Sequence, residues 1–368
     1  MPQFSTFDSK MMSHAITLAK KGMYTTAPNP NVGCVIVSEG QVVGEGFHKR
    51  AGEPHAEVHA LRMAGSQSVG ATAYVTLEPC SHYGRTPPCA EGLINAGVSR
   101  VVCAMQDPNP QVAGRGIDML RQAGILVDVG LLESDAEALN PAFIKRMKTG
   151  RPFVQLKMAA SLDGQTALSN GVSQWITSPQ SRQNVQAYRA KSCAILSTSK
   201  TVIEDNASLN VRWDDLPASI QSEYLANEVR QPARVILDRQ RQLSASLNLY
   251  QSPGAVITVS ETGDIVARLN QSGQIDLDKT FQDLVECHNI NSIWVEAGAT
   301  LAKSLINADL VDELILYLAP KIMGSDGRGL FGALGLESMS DTHELSIKDL
   351  RQVGPDIRIV ATLKQKDK

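Results

Sequence analysis

Residues 55 to 89 constrain this chain more than any other stretch. They read His55-Ala56-Glu57, then Glu78-Pro79-Cys80, then eight residues and Cys89. One imidazole and two thiols are ligand types that zinc takes. Three protein ligands leave a fourth position for water, whereas a structural site closes all four. Any fold adopted therefore has to return Cys80 and Cys89 to one point beside His55. Glu57, two residues after the histidine, is suited to carry protons without binding the metal. The bland alternative is that these are ordinary buried residues. Against it stand the order of the ligands, the offset of the glutamate, the proline before the first cysteine and a plausible helix under each half.

A His-x-Glu followed by Pro-Cys and a second Cys is the pattern of zinc-dependent nucleobase deaminases. The common Cys-x-x-Cys spacing is replaced here by a loop, Ser81 to Pro88, which brings His82 and Arg85 as polar groups usable on a substrate. His59, four residues after His55, reads as a solvated residue or one behind the ligands, since two thiolates already complete the set.

The first half alternates elements. Ser9 to Lys21 carries apolar residues at helical spacing. A Pro/Asn loop, 27–33, leads to strands at 34–38 and 41–46 across a Glu39-Gly40 turn, with His48 beyond. Asn29 sits between two prolines; it is equally a turn residue and a pre-fixed amide for a pyrimidine edge. Pro54 is expected at the first position of a helix from His55 to Ala64. Strands at 73–76, 100–105 and 125–129 alternate with helices at 89–96 and 114–123, the pattern of an α/β sheet with helices on both faces.

A chain of 368 residues suggests about two domains, and Thr149-Gly150-Arg151-Pro152 breaks the helix expected over 139–149. The boundary is placed at 148/149. Beyond it, 153–158 reads as a strand running into a tight polar turn at 159–164. Pro179 to Ala190 reads as a helix capped by Ser178. Further strands are expected at 194–197, 235–238, 255–259 and 292–296, whereas 214–231 reads as a polar surface excursion and 243–254 as loop. The small residues Glu296 to Thr300 lie between a strand and a helix from Leu301. Such a turn is a ready phosphate site or simply close helix–strand packing.

Composition argues weakly against some classes. With 43% hydrophobic and 20% charged residues and a net charge of −3, the chain has no basic patch to track nucleic acid. No apolar run reaches membrane-spanning length, and Met1 to Lys10 has no signal-like pattern. The six cysteines are scattered, which fits a reducing cytoplasm; Cys34, Cys103, Cys193 and Cys287 are expected to be inert core thiols.

The run Thr76-Leu77-Glu78-Pro79-Cys80-Ser81-His82-Tyr83-Gly84-Arg85-Thr86-Pro87-Pro88-Cys89 resembles the bifunctional riboflavin-biosynthesis deaminase/reductase family. Asp107-Pro108-Asn109-Pro110 with Val112 to Gly116 supports the match, which extends over essentially the whole chain. The resemblance implies a cytidine-deaminase-like three-layer α/β/α domain over 1–148 and a dihydrofolate-reductase-like α/β domain over 149–368. It implies zinc on His55, Cys80 and Cys89, with Glu57 as proton shuttle. Asn29, His48, His82 and Arg85 match residues used on the deaminase substrate. In the second domain Ala159, Trp175, Thr201, Asp205 and the run Gly298, Ala299, Thr300, Leu301, Ala302, Lys303 and Ser304 match positions for NADPH. Ser173, Arg189, Leu209, Arg212 and Glu296 match substrate positions. For Arg189 a helix-surface salt bridge stays open as an alternative, while Arg212 suits bidentate recognition of a ribose 5-phosphate. The family is expected to act on small phosphoribosylated pyrimidines in the cytoplasm, as a homo-oligomer, without nucleic acid or membrane. Two other readings stay open: a tRNA adenosine deaminase with an accessory half, and a non-enzymatic relative with a vestigial second half.

Overall fold

A computed structural model describes residues 4–83, 87–110 and 112–364. The chain divides into two compact units, Met1–Gly150 and Arg151–Lys368.

In the first unit, α1 (Thr6–Lys20) precedes β1 (Gly33–Ser38), β2 (Gln41–Phe47), α2 (Ala56–Ala64), β3 (Thr72–Val75), α3 (Cys89–Asn95), β4 (Arg100–Cys103), α4 (Arg115–Gln122) and β5 (Leu126–Val129). Two helices follow, α5 (Glu133–Glu137) and α6 (Pro141–Thr149). The sheet runs β2-β1-β3-β4-β5, with β1 antiparallel to both neighbours and the other pairs parallel. Strand side chains alternate between faces. Cys34, Ile36, Ala73, Val75, Val101 and Cys103 pack under α2, α3 and α4. Val35, Val37, Tyr74 and Val102 pack under α1 and the stretch around α5. The result is the expected three-layer arrangement, with both faces apolar because both are covered. Gly46 lets α2 press close: a Cβ there would lie 2.5 Å from the Ala56 carbonyl oxygen.

The second unit contains a nine-stranded sheet. Its strands and helices are β6 (Phe153–Ser161), β7 (Gln165–Ala167), α7 (Pro179–Lys191), β8 (Ala194–Thr198), α8 (Ser199–Asp205), α9 (Ala218–Gln221), β9 (Ala233–Leu237), α10 (Asn248–Gln251), β10 (Val256–Ser260), β11 (Ile265–Val266), α11 (Leu277–His288), β12 (Ser292–Glu296), α12 (Ala299–Asn307), β13 (Glu313–Ala319), β14 (Arg328–Gly329), β15 (Leu345–Val353) and β16 (Asp356–Leu363). The order is β11-β10-β9-β8-β12-β6-β13-β16-β15, parallel as far as β13 and antiparallel over the last two pairs.

Several expectations need correcting. Pro54 is not the first helical residue. His55 is extended (φ −74°, ψ 169°) and caps α2, because its carbonyl accepts the first helical bond, from His59 N–H. The helix expected from Leu139 starts at Pro141 behind Asn140. The polar turn expected at 159–164 is shorter: β6 continues to Ser161 because β13 pairs with it through Ala319. The stretch 214–231 is no surface excursion, since Leu216, Ile220, Tyr224 and Val229 are all buried. Within 243–254 lies α10, whose Leu249 is fully buried. Cys287 is exposed, because the inward stripe of α11 is Phe281, Leu284 and Val285.

Candidate active sites

Three local events assemble the first site. The extended backbone at His55 sets its ring at the start of α2, β3 delivers Leu77 to Cys80 beyond its end, and Cys89 opens α3. The His55 Nδ1 lies 3.6 Å from Cys80 Sγ and 3.3 Å from Cys89 Sγ, and the three ligand atoms fall within 4.8 Å of one another. The Cys89 backbone N–H donates to Cys80 Sγ at 3.3 Å. Among the described residues this is the single His/Cys/Asp/Glu group placed to hold a metal, and His59 is outside it. The hydrogen bond from Cys89, helped by the His55 ring, brings the Cys80 thiol down to about 4, while the same bond and burial push Cys89 up. His55 is raised chiefly by its hydrogen bond with Cys80. An imidazole and two sulfurs converging on one point fit zinc.

Glu57, in the first turn of α2, is 3% exposed. Burial pushes its carboxyl up, and its Oε2 has no hydrogen-bond partner among the described residues. A buried carboxylate with one oxygen uncommitted beside three residues able to hold a metal fits a proton carrier. His48 stands edge-on to His55 with ring centres 5.4 Å apart. Its Nδ1 is 3.3 Å from the Pro54 carbonyl oxygen and its Nε2 is 3.2 Å from Asn29 Nδ2. Asn29 and His48 therefore come together beside the ligands. His82 is exposed on the loop after Cys80, and Arg85 lies outside the described residues.

The second site lies at the carboxyl ends of adjacent parallel strands, where open α/β sheets bind ligands. Arg189, on α7, forms a buried bidentate pair with Glu296 at the end of β12 (2.6 and 2.8 Å) and donates to the Asn210 carbonyl at 2.9 Å. The pair is not a helix-surface salt bridge. It draws Arg189, Glu296 and the segment 209–212 together. Leu209 has its side chain in the core, so it can offer a ligand only its backbone, which turns at φ 50°. Arg212 is exposed and pairs with Asp215. Ala159 lies half-buried on β6. Thr198 caps α8, its Oγ1 accepting from the Thr201 N–H at 3.3 Å, and Asp205 ends that helix, bonded by Gln174. Ser173 and Trp175 flank Gln174 and are exposed; the Arg182 guanidinium covers one face of the indole at 4.5 Å. Gly298 is the N-cap of α12, with Ala299, Thr300 and Leu301 forming the first turn and Ala302, Lys303 and Ser304 following. No side chain caps those first N–H groups, which suits a cofactor phosphate.

Sequence reasoning missed Lys157. It pairs in register with Glu296 on the neighbouring strand, where burial lowers its pKa against the attraction of Glu296. A lone lysine inside an apolar strand was the available signal.

A metal-type deaminase site on a three-layer domain, joined to an α/β reductase domain, defines a bifunctional enzyme. Residues 5–105 match the cytidine and deoxycytidylate deaminase zinc-binding region, and residues 152–359 match the RibD C-terminal domain. The chain is 54% identical to riboflavin biosynthesis protein RibD of Escherichia coli K12 over 359 residues, 95% of this chain and 98% of the relative. Among solved structures it is similar to Acinetobacter baumannii RibD (TM-score 0.91, 45% identity, 98% of this chain and 99% of that one). It is also similar to the diaminohydroxyphosphoribosylaminopyrimidine deaminase/5-amino-6-(5-phosphoribosylamino)uracil reductase of Thermotoga maritima (TM-score 0.84, 33% identity, 97% and 99%). The chain belongs to the RibD family and is a bifunctional deaminase and reductase of riboflavin biosynthesis.

Proposed function

We propose that residues 1–148 deaminate 2,5-diamino-6-(5-phosphoribosylamino)pyrimidin-4(3H)-one and that residues 149–368 reduce the ribosyl chain of the resulting aminouracil to ribityl with NADPH. The observation that carries the first half is the convergence of His55, Cys80 and Cys89 beside the buried Glu57. Zinc, when bound there, supplies a Lewis acid that lowers the pKa of water. Glu57 takes the proton of the attacking water at its uncommitted Oε2 and delivers a proton to the departing amine, so that the C–N bond breaks with release of neutral ammonia rather than amide anion. Asn29 and His48 hold the pyrimidine edge, and His82 and Arg85 act on the phosphoribosyl portion.

In the second half NADPH supplies the reducing equivalents. Its phosphates rest on the first turn of α12, with Ala159, Trp175, Thr201 and Asp205 around the remainder. Ser173, Arg189, Leu209, Arg212 and Glu296 orient the open-chain sugar, with Arg212 on the phosphate. The meeting of Arg189 with Glu296 at the end of β12 and with the Asn210 carbonyl supports the reading. It takes the enzyme to work in the cytoplasm as a homo-oligomer on small molecules. Among the described residues no helix is long and apolar enough to cross a membrane.

The test supplies purified chain with the diaminopyrimidinone ribosylamine phosphate and follows ammonia and NADPH separately. One equivalent of each is expected. Zinc-loaded protein that releases no ammonia from this compound, but does so from RNA, would overturn the substrate assignment.

A further inference from the structure

Within its own loop the ligand Cys80 is held by the Cys89 N–H on its Sγ and by the Ala90 N–H, which donates to its carbonyl at 3.2 Å. A further anchor lies two residues before it. Glu78 is 3% exposed, and its carboxylate accepts four backbone N–H groups from the far side of the loop. Oε2 takes Asp107 N–H at 3.1 Å and Gly114 N–H at 2.9 Å. Oε1 takes Gly116 N–H at 2.8 Å and Ile117 N–H at 3.3 Å. Gly116 and Ile117 are the second and third residues of α4, whose N-cap is Gly114, a residue with no side chain to cap with. Glu78 therefore supplies from another segment the cap that α4 lacks, and its negative charge lies at the positive end of that helix.

A second observation ties the same two segments. A Cβ on Gly116 would lie 2.0 Å from the Pro79 carbonyl oxygen, so the peptide just before Cys80 packs directly on α4. The Glu78 backbone N–H also donates to the Met105 carbonyl at 3.0 Å.

We propose that Glu78 is the positioning residue of the metal site, fixing Cys80 Sγ toward His55 by clamping residues 78–80 onto the start of α4. The proposal rests on the reading of His55, Cys80 and Cys89 as zinc ligands. Residues that orient a ligand rather than bind the metal are commonly worth about 10–100-fold in metal affinity. An amide in place of the carboxylate keeps the shape but turns one accepting oxygen into a donor facing two N–H groups.

The experiment compares full-length wild type with Glu78→Gln, Glu78→Asp and Gly116→Ala. Zinc affinity is measured by competition with a chromogenic chelator, and the cobalt(II)-substituted proteins give the visible d–d spectrum of the site. Reductase turnover on the aminouracil and the melting temperature report folding in each variant. The expected result is zinc held about 10–100-fold more weakly in Glu78→Gln with a shifted d–d band. Gly116→Ala should move both readouts in the same direction, and Glu78→Asp should fall between. Should Glu78→Gln fail to fold, the other two variants decide by the same readouts. Folded variants with wild-type zinc affinity and spectrum would overturn the proposal. Wild type that binds no stoichiometric zinc would instead overturn the ligand assignment beneath it.

Discussion

Replacing Glu296 with glutamine is the sharpest test of how the second unit is held together around its ligands. The side chain is mostly buried, 15% exposed, and receives both arms of Arg189, and the Trp294 indole N–H donates to Oε1 at 2.8 Å. Burial alone would raise this carboxyl. Arg189, seconded by Lys157, overcomes it and holds the group at about 2, against an ordinary 4.5. At about 1.36 kcal/mol per pH unit, that difference corresponds to about 3 kcal/mol of stability at pH 7. Removing one partner of a buried pair costs about 3–5 kcal/mol by comparison, because the other charge stays buried. Since the folded-state pKa is depressed, the contribution is nearly complete above about pH 4.5 and is lost as pH falls toward 2. At pH 3 it should have shrunk to about 1 kcal/mol. A unit of this size shifts by about 2–4 °C per kcal/mol, so Glu296→Gln should lower its melting transition by about 6–12 °C at neutral pH and much less at pH 3. Differential scanning calorimetry of both proteins over this pH range is the assay. A shift under about 2 °C at pH 7, or one of equal size at both pH values, would refute the reasoning.

Other outcomes follow from the first unit. Glu57→Gln should cost deamination about 100-fold or more while NADPH consumption with supplied aminouracil is unchanged, as measured by separate ammonia and absorbance assays. Gly46→Ala forces a methyl against the Ala56 carbonyl at the start of α2, and should destabilise the first unit by about 1–3 kcal/mol in urea titrations. Asp8→Asn should acid-sensitise this unit less than wild type. Its carboxyl would be raised by burial but is held far below its ordinary value by Ser5, Tyr74 and Arg100, so wild type loses that support as pH falls and the variant has none to lose. Circular dichroism during acid titration checks it.

The metal triad was legible because zinc chemistry fixes ligand types and order, and the structure brings those same atoms together. Helix starts were legible where the cap is local, as at Ser178, whose hydroxyl accepts the Ser181 N–H. The start of α4 was also legible at Gly114, but its cap was not: Glu78 is part of the motif, yet its four partners are backbone amides 29–39 residues away. The end of β6 was misread because a parallel partner, invisible in sequence, carries the strand to Ser161. Polar density hid the buried stripe Leu216, Ile220 and Tyr224, which recurs every four residues. For Arg189 a surface salt bridge stood open as the alternative because its true partner Glu296 is 107 residues distant.

On the proposed function, one chain carries two chemically independent sites, the first of which depends on metal held by His55, Cys80 and Cys89. Its most direct test removes the metal with a strong chelator and follows both products from one preparation. Ammonia release should vanish and return on adding zinc, while NADPH oxidation with the aminouracil should stay within about twofold of the untreated rate. Undiminished ammonia release from verified metal-free protein would contradict the account.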